Sequence, residues 1–476
     1  MKAKTGCRPS PRTASRIPIA LDAHPRSGYP IVRSNPKTAV PADPTFWKPS
    51  TMTHAWLSLA VFALCYLFFI VLPTRRSWTA CLGGFLLMAT GVLTCREALL
   101  EKISWNVMGL FFGTLILAEI FLMSRVPAVL AEWLVDKSKS TRIAMLALCA
   151  LSGFISIFVE NVAVVLLVAP VALSLADKLK LNPAPLLIGI AISSNVQGTA
   201  TMIGDPPSMI LASHMRMGFW DFFIYQGKPG VFFAIQVGAL ASLAILAVAF
   251  RRHRNKSELL TQEKARSWVP TGLLGLLVLG LSFATVVDPE FAWFAGSYTL
   301  ALSLAALFWF RLRVRWGSTR ELIRSLDWDT TFFLLGVFVV VGGLSDSGWL
   351  DKLSSFMSGA AGTSPLRAFA MIVTFAVFAS GFVDNVPFLL VMIPVAQKMA
   401  AQMGVPVPLL MFGLLIGSCL GGNLTPIGAS ANVVTIGILR KRGCTVSFRD
   451  FMRIGIPFTV AAVLCGCLFV WWVWGV

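Results

Sequence analysis

Charge is scarce in this chain. Asp, Glu, Lys and Arg together make up 13% of its 476 residues, and 56% are hydrophobic. An ordinary soluble domain carries about twice that share of charge, so a soluble globular class is excluded. Histidine is rare, with 4 in all, and none of the 9 cysteines stands in a C-x-x-C pair with a histidine partner. No metal centre and no disulfide framework is therefore expected. Strict apolar–polar alternation is also missing, which excludes a transmembrane β-barrel. The apolar residues come instead in runs of about 17–22, enough to cross about 30 Å of hydrocarbon as a helix. The expected class is an all-α polytopic membrane protein.

The formal net charge is +18. On a soluble protein that would suggest nucleic acid. Here the Lys and Arg gather in the N-terminal tail and in short loops between apolar runs. They read as positive-inside topology signals, and no nucleic-acid partner is expected. Residues 1–53 hold nine Lys/Arg in their first 50 positions, with many Pro and Ser and no apolar core. This basic tail reads as disordered. It contains no signal-peptide apolar region. Met52 is an alternative start to Met1, since the loop charges otherwise place the basic tail outside.

Spans are expected at about 54–72, 78–95 and 105–123, the last with Glu119 inside it, as an interhelical partner or part of a proton path. An interfacial segment follows at about 126–140. Two apolar arms, about 143–158 and 162–176, flank Glu160-Asn161. Together they are too long for one crossing at 1.5 Å per residue, and the expectation is a re-entrant hairpin with the acid-Asn pair at its tip. An apolar half-helix from about 184 stops at Gln197-Gly198-Thr199-Ala200-Thr201 and Gly204-Asp205-Pro206-Pro207. Two Gly and two Pro cannot continue a regular helix. Broken backbone inside a membrane survives only where it is buried in protein or lines a wet cavity. A span at about 230–250 completes this half.

The second half repeats the plan. Asp384-Asn385 stands where Glu160-Asn161 stood, and Ser418-Cys-Leu-Gly-Gly-Asn-Leu-Thr-Pro-Ile-Gly-Ala-Ser-Ala431 where the first break stood. Gly113 pairs with Gly336 at a spacing of 223. Asn161 pairs with Asn385, Pro170 with Pro394, Ser194 with Ser418, Thr201 with Thr425 and Gly204 with Gly428, each at 224. The expected organisation is repeat 1 over 54–250, a cytoplasmic basic linker over 251–268, and repeat 2 over 269–476. Each repeat has five crossings and one hairpin, about 10 crossings plus 2 hairpins in all. An odd number inverts the second repeat in the membrane, the plan of secondary transporters with a site between the repeats.

The motifs Glu160-Asn-Val with Ser194-Asn-x-x-Gly-Thr-Ala-Thr-x-Ile-Gly-Asp-Pro-Pro207, and Asp384-Asn-Val with Gly421-Gly-Asn-x-Thr-x-Ile-Gly-Ala-Ser-Ala-Asn432, resemble the ion transporter superfamily. The branch they are most similar to is that of the ArsB/NhaD permeases. The melanosomal P protein, citrate-transporter-like domains and divalent anion:sodium symporters are nearby. The resemblance covers about 54–476. It implies a secondary carrier, with substrate and coupling ion held by hairpin tips and broken helices. Related sodium-coupled carboxylate carriers have Ser-Asn-Thr at the tips and work as dimers, so a homodimer is implied as well. Here acids replace the tip hydroxyls, Gln197 stands where the branch has Gly, and Ser208 stands where Asn is common.

The expected ion-binding set is Glu160, Asn161, Asn195, Gly198, Thr199, Thr201, Gly204, Asp205, Asp384, Asn385, Gly422, Asn423, Thr425, Gly428, Ser430 and Asn432. Buried acids in a membrane are costly and mark ion or proton paths. A carboxylate that alternates between a proton and Na⁺ is the simplest coupling device they can build. For Asp205 the competing role is a helix N-cap. Cys419 is either a ligand neighbour or a small packing residue. No cofactor is expected beyond Na⁺ or H⁺ as coupling ion, no enzymatic activity, and no partner other than lipid, a small ion or anion and the second copy of the chain that the resemblance implies. The expected function is Na⁺/H⁺ antiport or arsenite-type anion efflux in the bacterial inner (cytoplasmic) membrane. A sodium-coupled dicarboxylate or citrate carrier is the alternative. An ion channel shares the buried polar groups, and an intramembrane aspartyl protease is disfavoured because no Gly-x-Gly-Asp motif is present.

Overall fold

The computed structural model describes residues 49–72, 75–251 and 264–475. The N-terminal tail and most of the basic linker lie outside them. The described part is almost wholly helical. In the first half the helices are α1 (Pro49–Val71), α2 (Arg76–Ala89), α3 (Trp105–Met123), α4 (Val126–Lys137), α5 (Thr141–Ser156), α6 (Asn161–Lys178), α7 (Ala184–Gly198), α8 (Pro206–Met215) and α9 (Val231–Ala249). A two-residue hairpin, Ile224–Tyr225 with Lys228–Pro229, precedes α9. The second half has α10 (Val269–Ser282), α11 (Ala284–Val287), α12 (Phe294–Arg313), α13 (Thr319–Ser325), α14 (Trp328–Asp346), α15 (Trp349–Ala361), α16 (Pro365–Ser380), α17 (Asn385–Met403), α18 (Val407–Gly421), α19 (Ser430–Lys441) and α20 (Phe448–Trp474).

The protein is a polytopic membrane protein of two inverted-topology repeats, and local chemistry recurs at the repeat spacing. Ser140 caps α5 by accepting from the Ile143 N–H, and Ser364 caps α16 by accepting from the Arg367 N–H. Arg125 before α4 and Gly348 before α15 share the left-handed backbone conformation, at φ 61° and 74°. Arg125 and Gly348 are 223 apart, whereas Ser140 and Ser364 are 224 apart. The extra residue lies in α15, which has 13 residues where α4 has 12. A single insertion in a peripheral helix explains the change of spacing.

Packing follows the same symmetry. Helix α2 packs on α14, and its counterpart α12 packs on α3. Hairpin arm α6 meets α19, and α17 meets α8. The last helices of the two halves, α9 and α20, pack on each other. The halves are therefore interleaved rather than side by side. Small residues permit the close crossings: Gly113 abuts the Thr299 backbone, and Gly336 abuts Ala80 and Cys81.

Both expected hairpins form. Arms α5 and α6 pack on each other around the tip 157–160, and α16 and α17 around 381–384. Both expected helix breaks also form, at 199–205 and 422–429. Ten helices among the described residues are long and apolar enough to cross a membrane. Two of these, α6 and α17, are hairpin arms. The crossings α2 and α7–α8 are shorter than that criterion. Helix α2 departs from the expected 78–95. It starts at Arg76 and ends at Ala89, because Gly91 takes a left-handed φ of 72° and Thr90 turns its hydroxyl onto the Leu86 carbonyl.

Candidate functional site

Four helix N-termini converge on one cavity. They belong to the second hairpin arms α6 and α17 and to the resumed half-helices α8 and α19. Their N-cap residues, Glu160, Asp205, Asp384 and Ala429, all line it. The cavity holds about 40 Å³, room for a few water molecules or a bare ion. A helix N-terminus carries roughly half a positive charge and attracts anions. At three of these four the chain supplies its own carboxylate.

The caps are not the ones expected. Asp205, the sequence candidate for a capping role, accepts no N–H of its own helix. Glu160 instead accepts from the Val162 and Ala163 N–H groups at 3.0 and 3.2 Å, and Asp384 from Val386 at 3.1 Å. Asp205 receives the Asn161 amide at 3.3 Å. The Asn161 carbonyl oxygen accepts in turn from the Ser156 hydroxyl, so the amide is oriented with its N–H₂ toward the acid. In repeat 2 the position of Asp205 is Ala429, and Asn385 lines the cavity.

The threonines of the breaks face away from the cavity. Thr201 donates to the Ile157 carbonyl at 2.7 Å, and Thr425 to the Gly381 carbonyl at 2.5 Å. Each ties its break to the adjacent hairpin tip. Thr199 donates to the Asn195 carbonyl at 3.2 Å. Gly204 and Gly428 pass so close to backbone oxygens of Gly198 and Gly422 that no side chain fits. Gly198 itself packs against the Asn161 amide.

A second polar cluster backs the cavity and joins the repeats. Asn195 donates to the Asn423 side-chain oxygen at 2.7 Å and to that of Asn432 at 3.2 Å. Asn423 reaches across to the Ile192 carbonyl at 3.2 Å. Asn432 donates to the carbonyls of Gly422 and Thr425 at 3.1 and 3.2 Å. All three amides are buried. Of the expected set, Glu160, Asn161, Asn195, Asp205, Asp384, Asn385, Gly428 and Ser430 line the cavity. Gly198, Thr199, Thr201, Gly204, Gly422, Asn423, Thr425 and Asn432 form the shell that holds it. Cys419 is buried and lines the cavity as well.

This chain matches the family described as Citrate transporter (CitMHS) over residues 66–412 and 318–476. The chain belongs to the citrate transporter family. Within reach of this citrate-transporter-family chain are two uncharacterized transporters of Mycobacterium tuberculosis. One is 28% identical over 87% of this chain and 97% of its own length, the other 30% over 78% and 86%. The human P protein is 26% identical over 88% of this chain and 60% of its own. Among solved structures, the Alcanivorax borkumensis YdaH transporter superposes with a TM-score of 0.56 at 12% identity, covering 88% of this chain and 98% of its own. That likeness concerns the fold.

One cavity residue of this family member escapes sequence reasoning. Arg76 reads in the sequence as one of two topology arginines beside a span. In the fold it opens α2, lies over the Phe333 ring at 4.9 Å, and donates to Asp384 at 2.5 Å and to Ser430 at 3.2 Å. Its other nitrogens reach Asp329 at 3.0 Å and Thr330 at 2.9 Å. The Asp327-Trp-Asp329 pair was the available signal, since two acids stand there at the start of an apolar span. Asp327 caps that helix through the Thr330 N–H at 2.9 Å. Glu119 lies apart from the cavity and accepts from the Ser325 hydroxyl at 2.7 Å, an interhelical bond. The eight described cysteines are free, and no group of metal-ligating side chains occurs among the described residues.

Proposed function

We propose that this transporter is a secondary active carrier of the inner membrane that exchanges Na⁺ for H⁺, with Glu160, Asp205 and Asp384 as the coupling carboxylates. One observation carries the reading. At three of the four helix N-termini that would draw a free anion, the place is taken by one of the chain's own acids. Among the described residues neither Glu160 nor Asp205 forms an ion pair. Two membrane-buried carboxylates without a cationic partner are stabilised by binding a proton or a metal cation. The Ser430 hydroxyl, which lines the cavity, adds an oxygen ligand of the hard kind that Na⁺ prefers.

The cavity size argues the same way. A space of about 40 Å³ admits a bare cation, whereas a tricarboxylate requires the walls to move apart. The hydroxyls of Thr201 and Thr425, which could meet a carboxylate substrate, are bonded to hairpin-tip carbonyls. Exchange then needs only that the inverted repeats rock between two arrangements while the acids stay occupied by one cation or the other.

Proteoliposomes with an imposed pH gradient test this. Addition of NaCl is expected to dissipate the gradient, KCl, arsenite and citrate are not, and Asp205→Asn is expected to abolish the response while the protein still inserts. A gradient that ignores Na⁺ but responds to citrate or arsenite would overturn the reading in favour of anion transport.

A further inference from the structure

Among the described residues Arg76 is the single basic side chain that lines this cavity of acids, and its guanidinium is shared between two carboxylates. The inner one, Asp384, is at 2.5 Å with 21% side-chain exposure. The outer one, Asp329, is at 3.0 Å and 45% exposed. Thr330 and Ser430 mark the same two sides, at 2.9 and 3.2 Å. The Phe333 ring beneath the guanidinium, at 4.9 Å, offers a flat surface along which a cation can shift without losing its aromatic contact. Arg76 thus has a complete second set of partners on its outer side and is not committed to the inner one.

The local charge balance gives that arrangement a purpose. Three carboxylates face one guanidinium and four helix N-termini, and each terminus carries about half a positive charge. These charges come to about zero with Arg76 in place. A cation entering the cavity makes the site positive unless Arg76 withdraws. With Arg76 drawn to Asp329, one added cation restores the balance.

We propose that Arg76 is a resident counter-cation: it neutralises Asp384 while the site is empty and is displaced toward Asp329 when a transported cation takes its place. The proposal rests on the cation-exchange reading above. It adds that the apparent affinity for the cation is set by competition with a side chain of the protein itself. A bound cation and the inner Arg76 bond exclude each other. The outer acid controls the outcome as much as the inner one does, because it decides how readily Arg76 leaves.

Two variants move the result in opposite directions. Arg76→Gln removes the competitor, so half-saturating Na⁺ is expected to fall about ten-fold or more, the range a bond to a charged group supplies. Asp329→Asn removes the alternative partner and leaves Arg76 to Asp384 alone, so half-saturating Na⁺ is expected to rise several-fold.

The measurement is made twice on the full-length protein at fixed pH, with ionic strength held by choline chloride. One readout is stabilisation against heating as Na⁺ is titrated in detergent. The other is the Na⁺ dependence of gradient dissipation in vesicles. A general loss of packing would weaken Na⁺ binding in both charge-removing variants, so opposite shifts separate competition from damage. If Arg76→Gln does not fold, the Asp329→Asn shift decides. A parent protein that responds to Na⁺, with neither variant moving its half-saturation, would overturn the role of Arg76 alone. A parent that neither binds nor moves Na⁺ would overturn the exchange reading and this proposal with it.

Discussion

Gly428→Ala tests whether the breaks beside the cavity are held by backbone touching backbone. A methyl at Gly428 would lie 2.6 Å from the Gly422 carbonyl oxygen and 2.9 Å from those of Gly381 and Ser380. At Gly204 the corresponding methyl would meet the Gly198 and Ser156 oxygens, both at 2.5 Å. Carbon and oxygen in favourable contact stand roughly 3.3–3.6 Å apart. The overlap is therefore about 0.7–1 Å, and every obstructing atom belongs to the main chain, so no side chain can rotate aside. Relief requires the break to move away from the hairpin tip. Overpacking of this kind costs about 1–3 kcal/mol and displaces the N-termini that face the cavity. Thermal unfolding in detergent reads the first effect, and Na⁺-driven gradient dissipation reads the second.

Gly359→Ala and Gly437→Ala are the controls. Both sit in helices, with nothing within 4 Å of the added carbon. Alanine there is expected to be neutral or to stabilise by up to about 1 kcal/mol through helix propensity. Gly204→Ala and Gly428→Ala should lower the unfolding temperature and the transport rate, the controls neither. If all four variants behaved alike, or if Gly428→Ala kept the parent's stability, the close-contact argument would be refuted.

Asn195→Ala leaves the side-chain oxygens of Asn423 and Asn432 without the buried donor they now share, and is expected to cost about 1–3 kcal/mol in thermal unfolding. Thr201→Val and Thr425→Val each free one hairpin-tip carbonyl, at about 1 kcal/mol apiece, and the double variant should be additive because the two bonds lie in different repeats. Burial opposes ionisation of Asp288, in the loop after α11, but N–H donors from Trp293, Ala292 and Phe294 outweigh it and hold the carboxyl below its usual value. Its contribution is therefore full above the ordinary aspartate pKa of about 3.9 and is lost as pH falls through the lower folded value. Asp288→Ala should depress the unfolding temperature at pH 7, with the difference closing at strongly acidic pH. By contrast, Asp177→Asn at the exposed Arg442 pair is expected to shift stability by less than about 0.5 kcal/mol.

The features legible in the sequence were those written in local chemistry. Hairpins and breaks followed from acids, Gly and Pro inside apolar runs, because a membrane penalises each of them wherever it occurs. The repeat followed from spacing, and recurring caps at Ser140 and Ser364 bear it out. The roles of the threonines were not legible, since a hydroxyl in a broken helix can face an ion or a carbonyl equally well. Thr201 and Thr425 take carbonyls 44 residues away. The amide cluster was half legible: Asn195, Asn423 and Asn432 were singled out, but their meeting depends on how α7 and α19 cross. Arg76 was hidden because burial of an arginine beside a span is decided by another helix, α14, far along the chain.

The partnership of Arg76 and Asp384 joins residues 308 positions apart. A ribosome adding about 5–20 residues per second needs roughly 15–60 s to cover that distance. For most of that interval the first half stands in the bilayer with its guanidinium unmatched, and α2 and α3 lack α14 and α12, the helices they pack on. Assembly of this carrier is thus set by the emergence of its second half. Substitutions that weaken α12 or α14 should appear first as degradation of newly made chains, before any defect in the mature protein's activity.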